Sequence, residues 1–309
     1  MNIFEISKSP VPKLEISVKM GCARFCDYCP QPLYISSYKK KLPQGKKTLD
    51  IETINEISKN IPKDTIIAWT GFTEPLDCED FPEIVKHFNS RGLKQSISTT
   101  LCGREKATTF FKKNLDLFTE ITLHLPDSHG YMKGKFDEKY QKLLTDVFEE
   151  IKNDDIQIYT IFLIGEDFHL NIKDIVEKYK NILDKEKFLK AKYINTRNSS
   201  IDANKFNLKQ TKKIDEYKNK KNRYFCSYKR LNRGVLLPSG DVALCCNDYG
   251  LDYLRGSLKK NNLNDLYNSI ENNEQDAKSF SDGTFTPCNK CEHYTPVADN
   301  LIRESNNRK

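Results

Sequence analysis

No stretch of this chain approaches the roughly 20 consecutive apolar residues that a membrane-spanning helix needs. Mean hydropathy is −0.67, and the longest apolar runs, such as residues 159–164, have the length of buried strands. A secretory leader is not expected, because residues 1–20 are interrupted by Pro10, Pro12 and charges and lack an apolar centre. Charge of one sign is scarce too. Fifty basic and 43 acidic residues leave +7 on 309 residues. The lysine groups at 39–47 and 209–221 lack the interleaved aromatics of a nucleic-acid face and read as solvated surface or linker. Neither a membrane nor a nucleic acid is an expected partner. Internal repeats and low-complexity tracts are also missing.

Cysteine, by contrast, is plentiful: the chain has ten. Without a leader the expected compartment is the cytoplasm, where thiols stay reduced. Clustered cysteines in that setting bind metal or do redox chemistry. Cys22, Cys26 and Cys29 form C-x3-C-x2-C. Three thiolates within eight residues suit three corners of a [4Fe–4S] cubane and leave one iron open. Zinc is the alternative, although structural zinc prefers four closed ligands and no fourth lies nearby in sequence. The second group comprises Cys226, Cys245, Cys246, Cys288 and Cys291. On spacing alone it fits a closed [4Fe–4S] cluster and a four-cysteine zinc ribbon equally well.

Between the two groups, strand and helix patterns alternate. Strands are expected over 14–20, 65–70, 94–100, 121–125, 156–164 and 188–195. Helices are expected over 50–59, 81–90, 105–114, 137–152 and 171–184. Such alternation argues for a parallel sheet with crossover helices. Six units are too few for an eight-fold barrel, so an open sheet or a partial barrel remains, with chemistry at the C-terminal strand ends. Residues 199–222 read as linker or exposed helix. Further on, 233–237 and 241–246 flank Pro238-Ser239-Gly240 as a hairpin, 263–272 reads as a helix, and the polar end from 300 as a frayed tail.

The stretch Cys22-Ala23-Arg24-Phe25-Cys26-Asp27-Tyr28-Cys29 resembles the C-x3-C-x-aromatic-C signature of the radical S-adenosylmethionine (SAM) enzymes, with Tyr28 in the aromatic slot. Gly71-Phe72-Thr73-Glu74-Pro75 is similar to the family's glycine-rich SAM motif. Ser98 and Thr100 fall where the family places ribose contacts, and His124 where a polar residue faces the SAM carboxylate. Residues 161–166 fall where the family contacts adenine, and Arg197 where many relatives carry an arginine. The resemblance, over roughly 14–197, implies a partial (β/α)6 TIM-like barrel with SAM bound through Tyr28, Gly71, Glu74, Ser98, Thr100 and His124. Residues 226–299 resemble the auxiliary-cluster region called SPASM, in its shorter Twitch form, through Cys226, Gly240, Cys245, the Leu244–Asp248 stretch and the Cys288–Cys291 pair. That likeness implies a small α+β domain with one auxiliary [4Fe–4S] cluster on Cys226, Cys245, Cys288 and Cys291, and Cys246 as a non-ligand thiol. The expected organisation is a core at 1–200, a linker at 201–225, the auxiliary domain at 226–299 and a tail at 300–309.

The resemblance further implies an external electron donor such as flavodoxin or ferredoxin, and hydrogen abstraction from a small polar substrate. Oxidation of a sugar or cyclitol alcohol, with the auxiliary cluster as electron acceptor, is favoured. One alternative is sugar epimerisation with a thiol hydrogen donor, Cys102 or Cys78. Another is peptide modification, ranked lower because little chain precedes Cys22. Arg197 and Cys102 are the candidate catalytic residues. Anaerobically reconstituted protein is predicted to hold about eight irons and eight sulfides, falling to about four when Cys22, Cys26 and Cys29 are replaced by alanine. Zinc without iron in elemental analysis would overturn both cluster assignments.

Overall fold

The computed structural model describes residues 2–153, 158–164, 167–180, 188–191, 193–194, 196–206, 209–210 and 223–297. Its frame is a run of parallel strands: β1 (Lys13–Ile16), β2 (Ile66–Trp69), β3 (Gln95–Thr99), β4 (Glu120–Leu125), β5 (Ile158–Ile164) and β6 (Phe188–Ala191). The helices that return the chain are α2 (Gln31–Lys41) and α3 (Ile51–Ile57), α4 (Phe81–Ser90), α5 (Glu105–Lys112), α6 (Glu138–Asn153) and α7 (Leu170–Tyr179). A short α1 (Ile3–Ile6) precedes β1, and β7 (Tyr193–Ile194) pairs with β8 (Lys209–Gln210). Each expected strand and helix of the barrel is present, with some of the ends displaced by a few residues. The expected extension of α7 to 184, the ends of the 161–166 and 188–195 segments, most of the 201–225 linker and the 300–309 tail lie outside the described residues.

Local chemistry explains the elements. In α4 the residues Phe81, Ile84, Val85 and Phe88 fall on one face and are all buried. Pro82 sits in its first turn, where a missing N–H costs nothing. Asp50 caps α3, its carboxylate accepting the Thr53 N–H at 2.8 Å. Trp69 on β2 packs edge-on against Phe81 at 4.9 Å, and its indole N–H donates to Gln95 on β3 at 2.9 Å. Sheet and helix layer are thereby joined both by apolar burial and by a satisfied buried polar pair.

The sheet does not stop at the barrel. After β9 (Tyr224–Cys226) come β10 (Arg233–Leu236), β11 (Asp241–Ala243) and β12 (Leu254–Ser257). The expected hairpin forms across Pro238-Ser239-Gly240, with Gly240 at φ +92°. Its first strand, β10, pairs in parallel with β1, in register from Lys13 opposite Arg233 to Ile16 opposite Leu236. Among the described residues the sheet therefore has nine strands in the order β12-β11-β10-β1-β2-β3-β4-β5-β6. The β10–β12 part of the C-terminal region thus continues the barrel sheet. Helix α8 (Leu263–Tyr267) buries its apolar residues in the barrel core, and what stands apart is a two-stranded pair of β9 with β13 (Tyr294–Pro296), packed with α9 (Ser269–Asn272) and α10 (Glu274–Asp282). Phe225, Leu244, Phe280 and Phe285 centre a second core there.

Gly71, after β2, adopts φ +40°, and a Cβ at that position would sit 2.5 Å from the Ile16 carbonyl oxygen. Side-chain freedom cannot relieve a clash with backbone. Gly71→Ala is therefore expected to lower stability by about 1–3 kcal/mol, seen as a lower midpoint in denaturant unfolding; an unchanged midpoint would disprove the close approach.

Candidate functional site

The loops after β1 and β2, the ends of β3 and β4, the turn beyond β7 and Tyr249 surround one cavity of about 140 Å³. Cys22, Cys26 and Cys29 line it, as do Tyr28, Gly71, Glu74, Ser98, Thr100, His124 and Arg197. All but one of the site residues expected in the barrel thus meet at one hollow. The exception is Cys102, which opens instead on a neighbouring pocket between α5 and α6. Cys78, the other candidate hydrogen donor, is fully buried with its thiol toward the Leu49 carbonyl, and lines neither space.

The cysteine loop is held by groups that no sequence motif pointed to. The Gln31 side chain accepts the Cys22 N–H at 2.8 Å and donates to Cys29 Sγ at 3.2 Å and to the Phe72 carbonyl at 2.6 Å. One amide therefore ties both ends of the thiol loop to the loop after β2. From the other side, Asp27 N–H donates to the Tyr131 carbonyl and Lys133 pairs with Asp27 at 2.7 Å. Tyr28 packs beside Tyr131 and Phe206. Burial pushes the Cys22 thiol up to about 12. A sulfur this weakly acidic becomes a thiolate only against nearby positive charge, which a bound metal provides.

Two of the expected SAM contacts also have structural duties. Glu74 is buried, and its carboxylate accepts from Leu76 N (3.2 Å), Thr99 Oγ1 (2.5 Å), Thr100 N (2.8 Å) and Thr100 Oγ1 (2.7 Å). Four donors fill the oxygens of a carboxylate. Glu74 thus clamps the loop after β2 to the end of β3 while lining the cavity. Gly71 is needed for its approach to β1, as shown above, whatever else lies near it. Ser98 and Thr100 line the cavity, as does Thr99 between them, with Thr100 just past the end of β3.

Arg197 sits in a tight turn with φ +49° and donates to Asn247 Oδ1 at 3.1 Å. Asn247 in turn donates to Cys291 Sγ at 3.6 Å. Tyr249, also on the cavity wall, places its hydroxyl 3.4 Å from Cys29 Sγ. Sequence gave no sign of Tyr249 or Asn247. In the second group, Cys226, Cys245, Cys288 and Cys291 pack on the same small core. Burial, then the neighbouring sulfurs of Cys245, Cys291 and Cys226, hold Cys288 well above the usual thiol range. Cys246 faces a different core, shared with Cys29 and Tyr249, and accepts a hydrogen bond from Arg230. Four thiols packed on one small core are the ligand type that iron–sulfur clusters take. Among the described residues, no three His, Cys, Asp or Glu side chains converge as the ligands of a single ion do.

Residues 226–298 match the family model of SPASM, an iron–sulfur cluster-binding domain. Along its length the chain is similar to solved structures. SuiB of Streptococcus suis bound to precursor peptide SuiA aligns with a TM-score of 0.54 and 12% identity, over 93% of this chain and 71% of that one. The protein anSMEcpe with bound AdoMet and a Cp18Cys peptide aligns at 0.50 and 14%, over 90% and 85%. The chain has the radical SAM fold and carries a SPASM iron–sulfur domain. BtrN in complex with AdoMet and 2-DOIA aligns at 0.46 and 14%, over 94% and 95%. No curated protein matches the chain by sequence. Among the described residues of this SPASM-bearing barrel, no helix is long and apolar enough to cross a membrane.

His124 stacks at a tilt on Phe162, with ring centroids 4.9 Å apart. Burial, aided by the Arg197 charge, depresses its pKa to about 4. Between about pH 6.5 and 4 the unfolded chain protonates this histidine while the folded chain does not. Stability is therefore expected to fall as pH drops through that window, by up to about 1.4 kcal/mol per pH unit from this group. His124→Gln should flatten that part of the stability–pH curve; an identical slope in the variant would show that His124 titrates normally.

Proposed function

We propose that the chain is a radical SAM enzyme in which Cys22, Cys26 and Cys29 hold a [4Fe–4S] cluster beside bound SAM, and Cys226, Cys245, Cys288 and Cys291 hold a second. When bound, these groups supply a 5′-deoxyadenosyl radical that takes a hydrogen atom from carbon, and a second centre able to take up an electron. The chain's own residues bind and orient. Ser98 and Thr100 offer hydroxyls at the end of β3, His124 offers a neutral imidazole, and the Arg197 guanidinium suits a carboxylate of SAM or substrate. Tyr28, Phe72 and Tyr249 exclude water from the cavity wall.

We read the reaction as oxidation of a polar alcohol, with a sugar or cyclitol as the favoured substrate. The observation that carries this reading is the chain of contacts between the two cysteine groups. Tyr249 touches Cys29, Asn247 touches Cys291, and Arg197 bonds Asn247 while lining the cavity. An electron released in the cavity thus has a packed polar route toward the second group. Epimerisation would need a hydrogen-donating thiol facing the same space. Cys102 and Cys78 do not line that cavity.

Incubation with SAM, reductant and candidate sugars or cyclitols in deuterated water tests both levels. A product two hydrogens lighter and free of carbon-bound deuterium is expected. Cys288→Ala should stop that product while 5′-deoxyadenosine still forms. An isomer carrying one deuterium at an inverted centre would replace oxidation by epimerisation, and absence of 5′-deoxyadenosine in every reaction would sink the enzyme assignment itself.

A further inference from the structure

The segment after β7 reaches the cluster cavity through Arg197, and it does so from a turn that its own residues disfavour. Arg197, Asn198 and Ser199 have φ of +49°, +62° and +62°. Successive non-glycine residues in the left-handed region are costly, because each brings its Cβ against backbone. Such a turn persists only where its surroundings over-determine it. Thr196 closes it from within, accepting the Ser199 N–H on its hydroxyl at 3.2 Å and the Ile201 N–H on its carbonyl at 2.9 Å.

A second set of bonds comes from the C-terminal cysteine segment. Glu292 accepts the Thr196 N–H at 2.6 Å and also the Thr196 hydroxyl. The Asn198 amide donates to the Pro287 carbonyl at 2.6 Å. The Arg197 guanidinium donates to Asn247 Oδ1 at 3.1 Å, and the Asn247 amide donates onward to Cys291 Sγ at 3.6 Å. These acceptors share an address. Pro287 immediately precedes Cys288, Glu292 immediately follows Cys291, and Asn247 follows Cys245-Cys246. Cys245, Cys288 and Cys291 pack on the same small core. Whatever draws those sulfurs to one centre therefore also fixes the acceptors that grip the Arg197 turn.

We propose that ligation of Cys245, Cys288 and Cys291 fixes Asn247, Pro287 and Glu292, and through them sets the Arg197 guanidinium for the carboxylate of SAM. Asn198, Asn247 and Glu292 are then positioning residues for the first site. The second cysteine group thus has a duty besides electron uptake, and by linkage its occupancy and the affinity for SAM favour each other. The inference rests on the radical SAM reading and narrows the partner of Arg197 to SAM itself.

Anaerobic calorimetric titration of SAM into the reconstituted protein reads this coupling without turnover. Glu292→Ala removes the acceptor of Thr196, whereas Glu292→Gln keeps an oxygen there. Asn198→Gly tolerates the left-handed backbone and removes the amide. Glu292→Ala and Asn198→Gly are each expected to weaken SAM about tenfold, the usual effect of losing a contact to a charged group, with about eight irons retained. Glu292→Gln should bind SAM as native protein does. Cys288→Ala, with the second cluster lost, should show the same weakening, seen in turnover as a higher KM for SAM while 5′-deoxyadenosine formation at saturating SAM persists. Native affinity in Glu292→Ala, Asn198→Gly or Cys288→Ala would overturn the proposal, as would a Glu292→Gln protein as weak as Glu292→Ala. Should Glu292→Ala also lose iron, Asn198→Gly on the barrel side of the contact decides. Native protein that binds no SAM would sink the radical SAM reading together with the coupling, whereas native protein that binds SAM alongside unaltered variants would sink the coupling alone.

Discussion

The pairing of β10 with β1 is the constraint from which the site follows. β1 would otherwise be an edge strand with a row of unsatisfied backbone groups. Instead Lys13 N–H donates to the Asn232 carbonyl and Ser17 N–H to that of Leu236, extending the parallel ladder at both ends. Tyr267 staples the pair, its hydroxyl donating to the Lys13 carbonyl at 2.5 Å and accepting from Gly234 N at 3.3 Å. The chain leaves β1 into the Cys22–Cys29 loop, and leaves the β10–β11 hairpin into the stretch from Leu244 to Tyr249. β1 and β11, separated in the sheet only by β10, therefore launch the first cysteine group and the Cys245–Cys246 part of the second. That is why Tyr249 reaches Cys29 across 220 residues of sequence, and why the second group cannot swing away from the cavity as a tethered domain would.

Loops of this length would be mobile if water alone satisfied their backbone. Here buried acids do that work. Glu74 gathers four donors after β2. Asp127 is buried after β4 and accepts from Tyr131 N and Met132 N, shaping the loop that docks on the cysteines. Asp248 accepts from Asp252 N and Tyr253 N beside the second group, although burial raises its pKa to about 7. A buried carboxylate is tolerable only when its oxygens are filled. The same filling removes these acids from the pool of free bases and ligands. Their value is rigidity, which sets the spacing of the sulfurs they surround.

Much of this was legible because it is local. The C-x3-C-x2-C loop, the six alternations and the Pro-Ser-Gly hairpin are written in consecutive residues, and α4 advertises itself with four apolar side chains on one face. The helix α2 was missed for an equally physical reason. Its buried residues are Gln31, Tyr34 and Tyr38, at helical spacing but polar or amphipathic, among lysines and serines that hide the period. Tyr34 and Tyr38 can be buried because their hydroxyls find the Lys19 and Lys46 carbonyls. Helix α10 buries a single residue, Phe280, and shows no stripe at all. The pairing of β10 with β1, the Gln31 amide tie and the Tyr249 contact lie beyond any window, since each depends on residues brought together by the fold. Glu74 was legible as a special residue but not as a clamp, because sequence shows the acid and not the threonines it faces.

The adjacent thiols Cys245 and Cys246 illustrate how geometry divides what spacing cannot. Neighbours in sequence, they pack on different cores. Cys245 joins the core shared by Cys226, Cys288 and Cys291, and lies close enough to Cys288 for its charge to raise that thiol's pKa. Cys246 lies under the Arg230 guanidinium, which also approaches the buried Glu15 carboxylate at 3.4 Å. A sulfur engaged by a buried cation is held as an acceptor, whereas Cys288, raised by burial and then by the Cys245, Cys291 and Cys226 sulfurs, needs a positive centre among them before all can ionise. The two environments therefore favour opposite fates. Cys246 suits a fixed polar contact on the side of the cavity, and Cys245 suits the closed ligand set, which supports the assignment of Cys226, Cys245, Cys288 and Cys291 to a single cluster.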